Sequence, residues 1–264
     1  MKFKNLEDKC TYFRSMTDYR IVPNSYTLLM LDGKNFSKMV KNRFKKPFDP
    51  DFIEMMNETA KYLVEKLQGA KIAYTQSDEI SILVTDFDTP VTDLLFGGRL
   101  CKIQSIAASM ATTEFNKQLA LYALRNCATA DEARKIIEKE KFCQFDCKCW
   151  TVPNENDMFA WFLWRNLDCI KNSKNQTSQS YLPQDTLVKK TADEGIAMLK
   201  EEKGVDWYEL PEGMKYGRII CKREMELIWN GEPYTRNKFV VEDGFPLSEE
   251  GNKEKFLGLI TYGK

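Results

Sequence analysis

Two aspartates, Asp32 and Asp78, each lie at the end of an apolar run, where a carboxylate can bind a divalent cation. Asp32 lies in YTLLMLDGKNF (26–36), and Asp78 lies in AYTQSDEISIL (73–83). A strand that ends in Asp-Gly exposes one carboxylate and leaves backbone N–H groups available for phosphates. A second strand that brings Ser-Asp-Glu beside it completes a site for divalent cations, and two such ions roughly 3.5–4 Å apart clamp the attacking and leaving oxygens. The pair therefore predicts an enzyme of metal-dependent phosphoryl transfer on nucleotides.

The composition narrows the chemistry further, because the 264 residues include no histidine. Imidazole general bases, Ser-His triads and His-ligated zinc are excluded, so acid–base work falls to carboxylates, Lys, Tyr, Cys or metal-bound water. The eight cysteines, without a secretory context, indicate reduced thiols. Cys143, Cys147 and Cys149 lack the paired spacing of a zinc ribbon and favour ordinary strand and core cysteines.

The charge of the whole chain gives no basic field for nucleic acid, because 39 basic residues balance 39 acidic ones. Local basic clusters remain, and such runs are typical of solvated faces, so alone they leave nucleic-acid binding open. These clusters are Lys38, Lys41, Arg43, Lys45 and Lys46; Lys171 and Lys174; Lys189 and Lys190; and Lys215, Arg218, Lys222 and Arg223. No apolar run approaches the roughly 20 residues of a membrane span, and the N-terminus has no secretory h-region. We therefore expect no membrane partner and a cytoplasmic location.

The elements that must position the two aspartates follow the order β, α, β, β, α, β over residues 1–152, after a helix near the N-terminus. Strands are predicted at 26–32, 71–75, 80–87 and 143–152, with long helices after Asp49-Pro50 and from about Arg99 to Ala123. A short helix is predicted at 130–140. This order predicts an α+β fold, a ferredoxin-like antiparallel sheet with helices on one face, which polymerase palms and nucleotide cyclases share.

The character of the sequence changes after Pro153. An aromatic-rich helix is predicted over 156–169, followed by the polar stretch KNSKNQTSQS, a helix near 191–203, and short strands and turns from 204 to 264. We therefore predict two parts: a palm catalytic domain with the N-terminal helix (1–152), and a helical and short-strand extension packed on it (153–264).

Five motifs, in the order LDGKNF, KKPFD, YTQSDEIS, IAASMAT and WFLWRNLDC, carry a resemblance over about residues 5–225. With them the chain resembles the tRNA-His guanylyltransferase-like family, 3′-to-5′ nucleotidyltransferases that extend the 5′ end of tRNA. The resemblance implies a polymerase-type palm, two Mg²⁺ ions, tRNA as the partner, and a homotetramer.

The resemblance also assigns roles to individual residues. It implies that Asp32, Asp78 and the Gly33 carbonyl are metal ligands. Glu79 is grouped with the two aspartates as a catalytic candidate, either behind the metal ligands or in a merely structural role. Lys46 matches the lysine before proline in KPFD and would face nucleotide phosphates. The nucleotide-binding residues that the resemblance implies are Asp32, Gly33, Lys34, Asn35, Phe36, Ser37, Lys46, Ser77, Asp78, Arg99, Lys102, Asn172 and Lys190.

One segment departs from the eukaryotic branch of this family. Where that branch has His-Ile-Asn-Asn after Asp-Cys, this chain has Ile170-Lys171-Asn172-Ser173. Together with YTQSDEIS and GVDWYELPEGMKYGR, this difference makes the chain more similar to the bacterial and archaeal "like" proteins, which are associated with templated repair of 5′-truncated tRNA.

The predicted reaction follows from this resemblance. ATP adenylylates a tRNA 5′-monophosphate, the 3′-hydroxyl of an incoming nucleotide, usually GTP, expels AMP, and pyrophosphate is finally removed from the new end. Repair of truncated tRNA and addition of G₋₁ to tRNA-His are both compatible with the residues. A palm-type nucleotide cyclase that acts on ATP or GTP without RNA is one alternative, although the chain lacks a Gly-Gly-Asp-Glu-Phe segment. A non-catalytic RNA-binding module is another, and the intact Asp32 and Asp78 argue against it.

Overall fold

The computed structural model describes residues 2–34, 36, 43–139, 142–229 and 232–260. The helices there are α1 (Leu6–Ser15), α2 (Pro50–Lys66), α3 (Leu100–Asn126), α4 (Ala130–Lys139), α5 (Glu155–Tyr181), α6 (Gln184–Leu187), α7 (Ala192–Lys203), α8 (Glu212–Tyr216) and α9 (Asn252–Leu257). The strands are β1 (Tyr26–Lys34), β2 (Ala70–Gln76), β3 (Glu79–Val84), β4 (Gln144–Val152), β5 (Arg218–Trp229) and β6 (Glu232–Asp243). No helix in these ranges combines the length and apolar character that crossing a membrane requires.

The six strands form one sheet in the order β4-β1-β3-β2-β5-β6, and each neighbouring pair is antiparallel. The first four strands have the order of a ferredoxin-like βαββαβ unit, so the predicted α+β palm is confirmed. Asp49 caps α2 as expected: its side chain accepts hydrogen bonds from the backbone N–H groups of Asp51 at 2.9 Å and Phe52 at 3.2 Å. This cap fixes the point at which the loop carrying Lys46 enters α2.

Each face of the sheet carries its own hydrophobic core. On one face, α2 and α3 pack on residues such as Leu31, with Met56 and Phe115 among the contacts. On the other, α5 and α9 cover Tyr74 and its neighbours with Phe162 and others. Every residue of β2 and β3 is therefore buried, including polar side chains such as those of Lys71, Thr75 and Ser81. Helices were predicted on one face only; the extension supplies the second helical layer.

Helix α5 is much longer than predicted, because it continues through the polar stretch to Tyr181. Ser173 and Thr177 are buried there, and the Thr177 hydroxyl donates to the Ser173 carbonyl at 2.8 Å. The Trp207 indole N–H donates to the Ser173 hydroxyl at 2.9 Å. These contacts, one within the helix and one with a distant residue, satisfy the polar side chains, so the helix does not end at residue 169 as predicted.

The short strands predicted after residue 204 were also wrong in length, since β5 and β6 have 12 residues each. Residues 218–220 of β5 pair with residues 73–75 of β2, and β5 pairs with β6 over its whole length. The C-terminal part therefore extends the sheet of the palm. The division into 1–152 and 153–264 stays a prediction.

Candidate active site

The two aspartates lie at the same edge of the sheet, called here the catalytic edge. Asp32 is the Cα partner of Glu79 on β3 and of Asp146 on β4. The backbone N–H of Gly33 donates to the carbonyl oxygen of Asp78 at 3.1 Å. The β2–β3 turn therefore lies directly against the end of β1, and the fold brings together the two carboxylates that the sequence singled out.

Two backbone positions shape this edge. A Cβ atom on Gly33 would lie 2.5 Å from a ring carbon of Phe36, so a larger residue does not fit. The Phe36 ring is buried and packs on Phe115 at a centroid distance of 4.9 Å, so any nucleotide contact at Phe36 would come from its backbone. Ser77 turns the chain with a φ of +48°, a left-handed conformation that is uncommon for serine. Lys34 is exposed at the end of β1, whereas the predicted contacts Asn35 and Ser37 lie outside the described residues.

The electrostatics of the edge favour a bound cation. Burial raises the pKa of Asp32, and the negative charge of Asp146 raises it further. Burial also raises the pKa of Asp78, to which Asp32 adds repulsion, while a 3.0 Å hydrogen bond from the Ser77 hydroxyl opposes the shift. Carboxylates that repel one another in a partly desolvated site gain most from a divalent cation between them.

The donor set at the edge fits Mg²⁺. Within the described ranges, no group of three or more His, Cys, Asp or Glu side chains is arranged as a metal cage. An ion at the edge would therefore be held by Asp32 and Asp78, with the Gly33 carbonyl and nucleotide oxygens completing its shell. Mg²⁺ suits such a site, because it is usually bound by one or two carboxylates together with phosphates and water.

Glu79, the third predicted catalytic residue, is paired with an arginine that the sequence reading missed. Arg165 on α5 donates from Nε to Glu79 Oε1 at 2.6 Å and from Nη2 to Glu79 Oε2 at 2.5 Å. Burial raises the pKa of Glu79, and this bidentate pair with Arg165 opposes the shift. Arg165 also donates to Asp168 at 3.0 Å, and the side-chain amide of Asn172 donates to Asp168 at 3.0 Å. Glu79 thus braces the catalytic edge against α5 rather than pointing freely into it.

A pocket of about 250 Å³ opens beside Asp78. Its walls come from the loop before α2, the β2–β3 turn and the second half of α5, which runs past the end of the sheet. Aromatic rings of Phe44 and Phe48 meet hydroxyl and amide side chains there. Those polar side chains are Gln76, Ser77, Asn172, Ser173, Gln176, Gln179 and Ser180. Apolar walls with a few convergent polar groups suit the base and ribose of a nucleoside.

One of the predicted phosphate-binding lysines, Lys46, lines this pocket. Lys46 lines it together with Lys45, so both can reach the phosphates of a nucleotide seated beside Asp78. Lys190 is exposed just before α7, whose Gly195 lies against Ser178 of α5. Lys46 and Asn172 therefore line the same pocket, whereas Lys190 lies before α7 and outside the residues that line it.

Arg99 and Lys102 lie at the opposite end of the sheet. Arg99 forms a bridge with Arg20, which precedes β1, and its Nε donates to Asp18 at 2.9 Å. Because β1 rises about 3.3 Å per residue, its start lies roughly 20 Å from Asp32. One protomer therefore does not bring Arg99 and Lys102 to the aspartate pair.

Two residues of the basic clusters are not on the surface at all. Lys215 and Arg218 are buried. Lys215 Nζ donates to the Tyr208 carbonyl at 2.9 Å, and Arg218 Nε donates to Asn57 Oδ1 at 3.1 Å. The amide partner of Arg218 comes from a position 161 residues away, which a charge run in the sequence does not reveal.

The cysteine cluster on β4 has the properties of core thiols. All eight cysteines of the chain are free. Burial raises the pKa of Cys143 to about 11 and that of Cys149 to about 12. Thiolates are therefore disfavoured at neutral pH, which argues against nucleophilic or metal-binding roles.

Comparison with known proteins decides the family. The family model described as Thg1, tRNA-His guanylyltransferase, matches residues 8–153, which is more than half of the chain and includes both aspartates. The chain belongs to the tRNA-His guanylyltransferase family. This membership confirms the resemblance carried by the five motifs and the predicted nucleotidyltransferase class.

Individual relatives agree with that family. The tRNA(His) guanylyltransferase of Saccharomyces cerevisiae is 27% identical over 215 residues, which are 77% of this chain and 85% of the yeast protein. An uncharacterized protein, R259, of Acanthamoeba polyphaga mimivirus is 28% identical over 230 residues, or 82% and 76% of the two chains.

Solved structures of bacterial Thg1-like proteins share the whole architecture. One, in complex with ATP, is 27% identical with a TM-score of 0.81 and covers 98% of this chain and 100% of its own. Another, in complex with GTP, is 27% identical with a TM-score of 0.73 and covers 96% of each chain. The similarity to these structures therefore covers the C-terminal strands β5 and β6 as well as the palm.

Proposed function

We propose that this protein is a 3′-to-5′ nucleotidyltransferase that adds nucleotides, preferably guanylate from GTP, to the 5′ end of tRNA. The observation that carries the proposal is the Asp32–Asp78 pair at the catalytic edge, beside a nucleoside-sized pocket in a member of the tRNA-His guanylyltransferase family. The relatives that are tRNA(His) guanylyltransferases and the bacterial complexes with ATP and GTP support the choice of substrates.

The proposed reaction has two transfers at one edge. An oxygen of the tRNA 5′-monophosphate attacks the α-phosphorus of ATP and releases pyrophosphate, which leaves an adenylylated 5′ end. The 3′-hydroxyl of GTP then loses its proton and attacks the 5′ phosphorus of the tRNA, and AMP departs. Hydrolysis of the new triphosphate end releases pyrophosphate.

The side chains of this chain would position both transfers. Asp32 and Asp78 would hold two Mg²⁺ ions, which supply charge neutralisation and activation of the attacking hydroxyl. The pocket beside Asp78 would hold a nucleoside, and Lys46 would hold its phosphates. Since phosphoryl transfer needs mainly positioning and electrostatic stabilisation, a chain without histidine can perform it.

To include Arg99 and Lys102, the proposal needs a second copy of the chain. Because both lie roughly 20 Å from the pair in one protomer, they would meet a triphosphate at the edge only if a second copy supplied them. The homotetramer that the family resemblance implies would allow this arrangement.

The choice of tRNA is proposed from Ile170. This residue replaces the histidine of the eukaryotic signature, so we propose templated repair of 5′-truncated tRNA as the main activity, with G₋₁ addition to tRNA-His as a second substrate to compare.

One assay tests the proposed function. Purified protein is incubated with Mg²⁺, ATP, labelled GTP and a tRNA that lacks its first nucleotide, and full-length tRNA-His is tested in parallel. Label at the RNA 5′ end is expected, with the truncated tRNA preferred. A cyclic nucleotide formed without RNA, or bound tRNA without any turnover, would contradict the proposal.

A further inference from the structure

Three tryptophans lie side by side on the sheet face that α5 covers only in part. The ring centroids of Trp150 and Trp161 are 4.5 Å apart, those of Trp161 and Trp164 are 5.2 Å apart, and both contacts are edge-on. The Trp161 indole N–H donates to the Ser81 hydroxyl at 3.2 Å, which ties the run to β3. Trp150 and Trp161 are half-buried, but Trp164 is 56% exposed, so the run ends in an open indole.

The open indole is adjacent to the catalytic edge. The Arg165 guanidinium lies 4.7 Å from the centroid of the Trp164 ring, and the same guanidinium binds Glu79. Glu79 is the Cα partner of Asp32, and side chains that are paired across strands lie about 5 Å apart. Trp164 therefore lies on the order of 10 Å from Asp32.

Trp164 faces away from the nucleoside pocket. The pocket is lined from α5 by residues that include Asn172 and Gln176, and at 100° per residue Trp164 lies about 80–120° around the helix from them. Lys171 stands two turns further along α5, on the same side as Trp164, and is exposed. Lys148, on β4, is exposed and close enough for its charge to act on Asp32. Lys171 thus provides a positive charge on the same side of α5 as the exposed indole, and Lys148 provides one near Asp32.

We propose that Trp164 is a stacking platform for the terminal base of the RNA strand whose 5′ phosphate enters the aspartate pair, with Lys148 and Lys171 contacting its backbone. A base at the end of an RNA helix has one open face, bases stack on aromatic side chains, and basic residues beside such rings track the phosphates. This inference rests on the proposed function, because it needs an RNA 5′ end at Asp32 and Asp78.

The indole is prepared for this task. Contacts with Arg165 and Trp161 already fix the orientation of the Trp164 ring, so stacking a base on this ring restricts few additional rotatable bonds. A tryptophan that served the core alone would be buried, as Trp207 is at 2% exposure. Base–aromatic stacking contributes about 1–3 kcal/mol per base, which corresponds to roughly 5- to 150-fold in affinity.

A fluorescent base tests the platform directly. The probe is a 5′-truncated tRNA with 2-aminopurine at its first nucleotide, and a matched tRNA carries the base at its third nucleotide. Binding to the wild-type protein should quench the first probe and leave the third nearly unchanged. Trp164→Leu should abolish this quench and weaken binding roughly tenfold. Trp164→Phe, which keeps a ring, should retain most of both, and Tyr208→Leu, at another exposed aromatic residue, should behave as wild type.

The outcomes separate the platform from its rivals. An unquenched first base with the wild-type protein overturns the proposal without any variant, as does wild-type binding and quenching by Trp164→Leu. A quench that free ATP or GTP removes while the RNA stays bound would place a nucleotide on Trp164 instead. Incorporation of label from GTP, measured on the same samples, distinguishes the two hypotheses. Incorporation without a quench contradicts the platform alone, and a quench without incorporation contradicts the proposed function alone.

Discussion

The buried pair of Arg165 and Glu79 gives a prediction whose size follows from the geometry. Their side chains are 9% and 7% exposed, and two parallel hydrogen bonds join them. Arg165→Met would keep the aliphatic bulk but leave the Glu79 carboxylate buried without its partner. Breaking a buried pair in this way costs about 3–5 kcal/mol. For a chain of this size we expect the melting temperature to fall on the order of 10 °C.

A second substitution should restore the stability lost in Arg165→Met. Arg165→Met combined with Glu79→Gln removes the unpaired charge and should recover most of the lost free energy of unfolding. Arg223→Met provides the matched control, since Arg223 and Glu242 form the same bidentate contact at 43% and 36% exposure. Exposed pairs contribute about 0–1 kcal/mol, so this control should change little.

Chemical denaturation of the four proteins, monitored by circular dichroism, measures these differences. A loss below about 1 kcal/mol for Arg165→Met, or a double variant no more stable than the single one, would refute the argument that α5 braces the catalytic edge through a buried charge pair.

Two further predictions concern the nucleotide and the assembly. Lys46→Ala should weaken ATP and GTP binding, measured by calorimetry, by roughly tenfold, which is the size of one charge-assisted contact to phosphate. If Lys46 is the main contact, Lys190→Ala should weaken binding less. A Lys46→Ala protein that binds both nucleotides as tightly as the wild type would contradict the role of Lys46 in the site. The Asp78→Asn and Arg99→Ala variants should each be inactive alone. If Arg99 acts from a second copy, a mixture of the two variants that has exchanged subunits contains sites with an intact Asp78 and an intact Arg99, and it should regain about a quarter or more of the incorporation activity. A mixture that stays inactive would show that Arg99 does not act across copies.

The palm could be predicted from the sequence because its signals are local. The Asp49-Pro50 pair marks the start of α2, the apolar run that ends at Asp32 marks β1, and the two runs on either side of Ser77-Asp78 mark β2 and β3, which meet at a tight turn. In such a fold, the order of elements alone places the two aspartates at one edge. The roles of Asp32, Asp78 and the Gly33 carbonyl as metal ligands came from the family resemblance and stay a prediction.

The parts that the sequence did not reveal depend on contacts between distant residues. Helix α5 continues to Tyr181 because Trp207 and other tertiary partners satisfy its hydroxyl groups. The Arg165–Glu79 pair joins residues 86 positions apart, so no local pattern indicates it. The arginine stood within the WFLWRNLDC motif, and an arginine on the aromatic side of a predicted helix was the one signal available.

The most direct test of the central claim is the dependence of 5′-end labelling on the aspartate pair. Incorporation of label from GTP into 5′-truncated tRNA is measured in rising Mg²⁺ for the wild-type protein, Asp32→Asn and Asp78→Asn, with Asp146→Asn as the neighbouring carboxylate control. We expect wild-type activity to require Mg²⁺, both pair variants to lose at least roughly 1,000-fold, or about 4 kcal/mol of barrier, and the control to remain active. Magnesium-dependent labelling that survives in either Asp32→Asn or Asp78→Asn would contradict the claim that these two carboxylates form the catalytic centre.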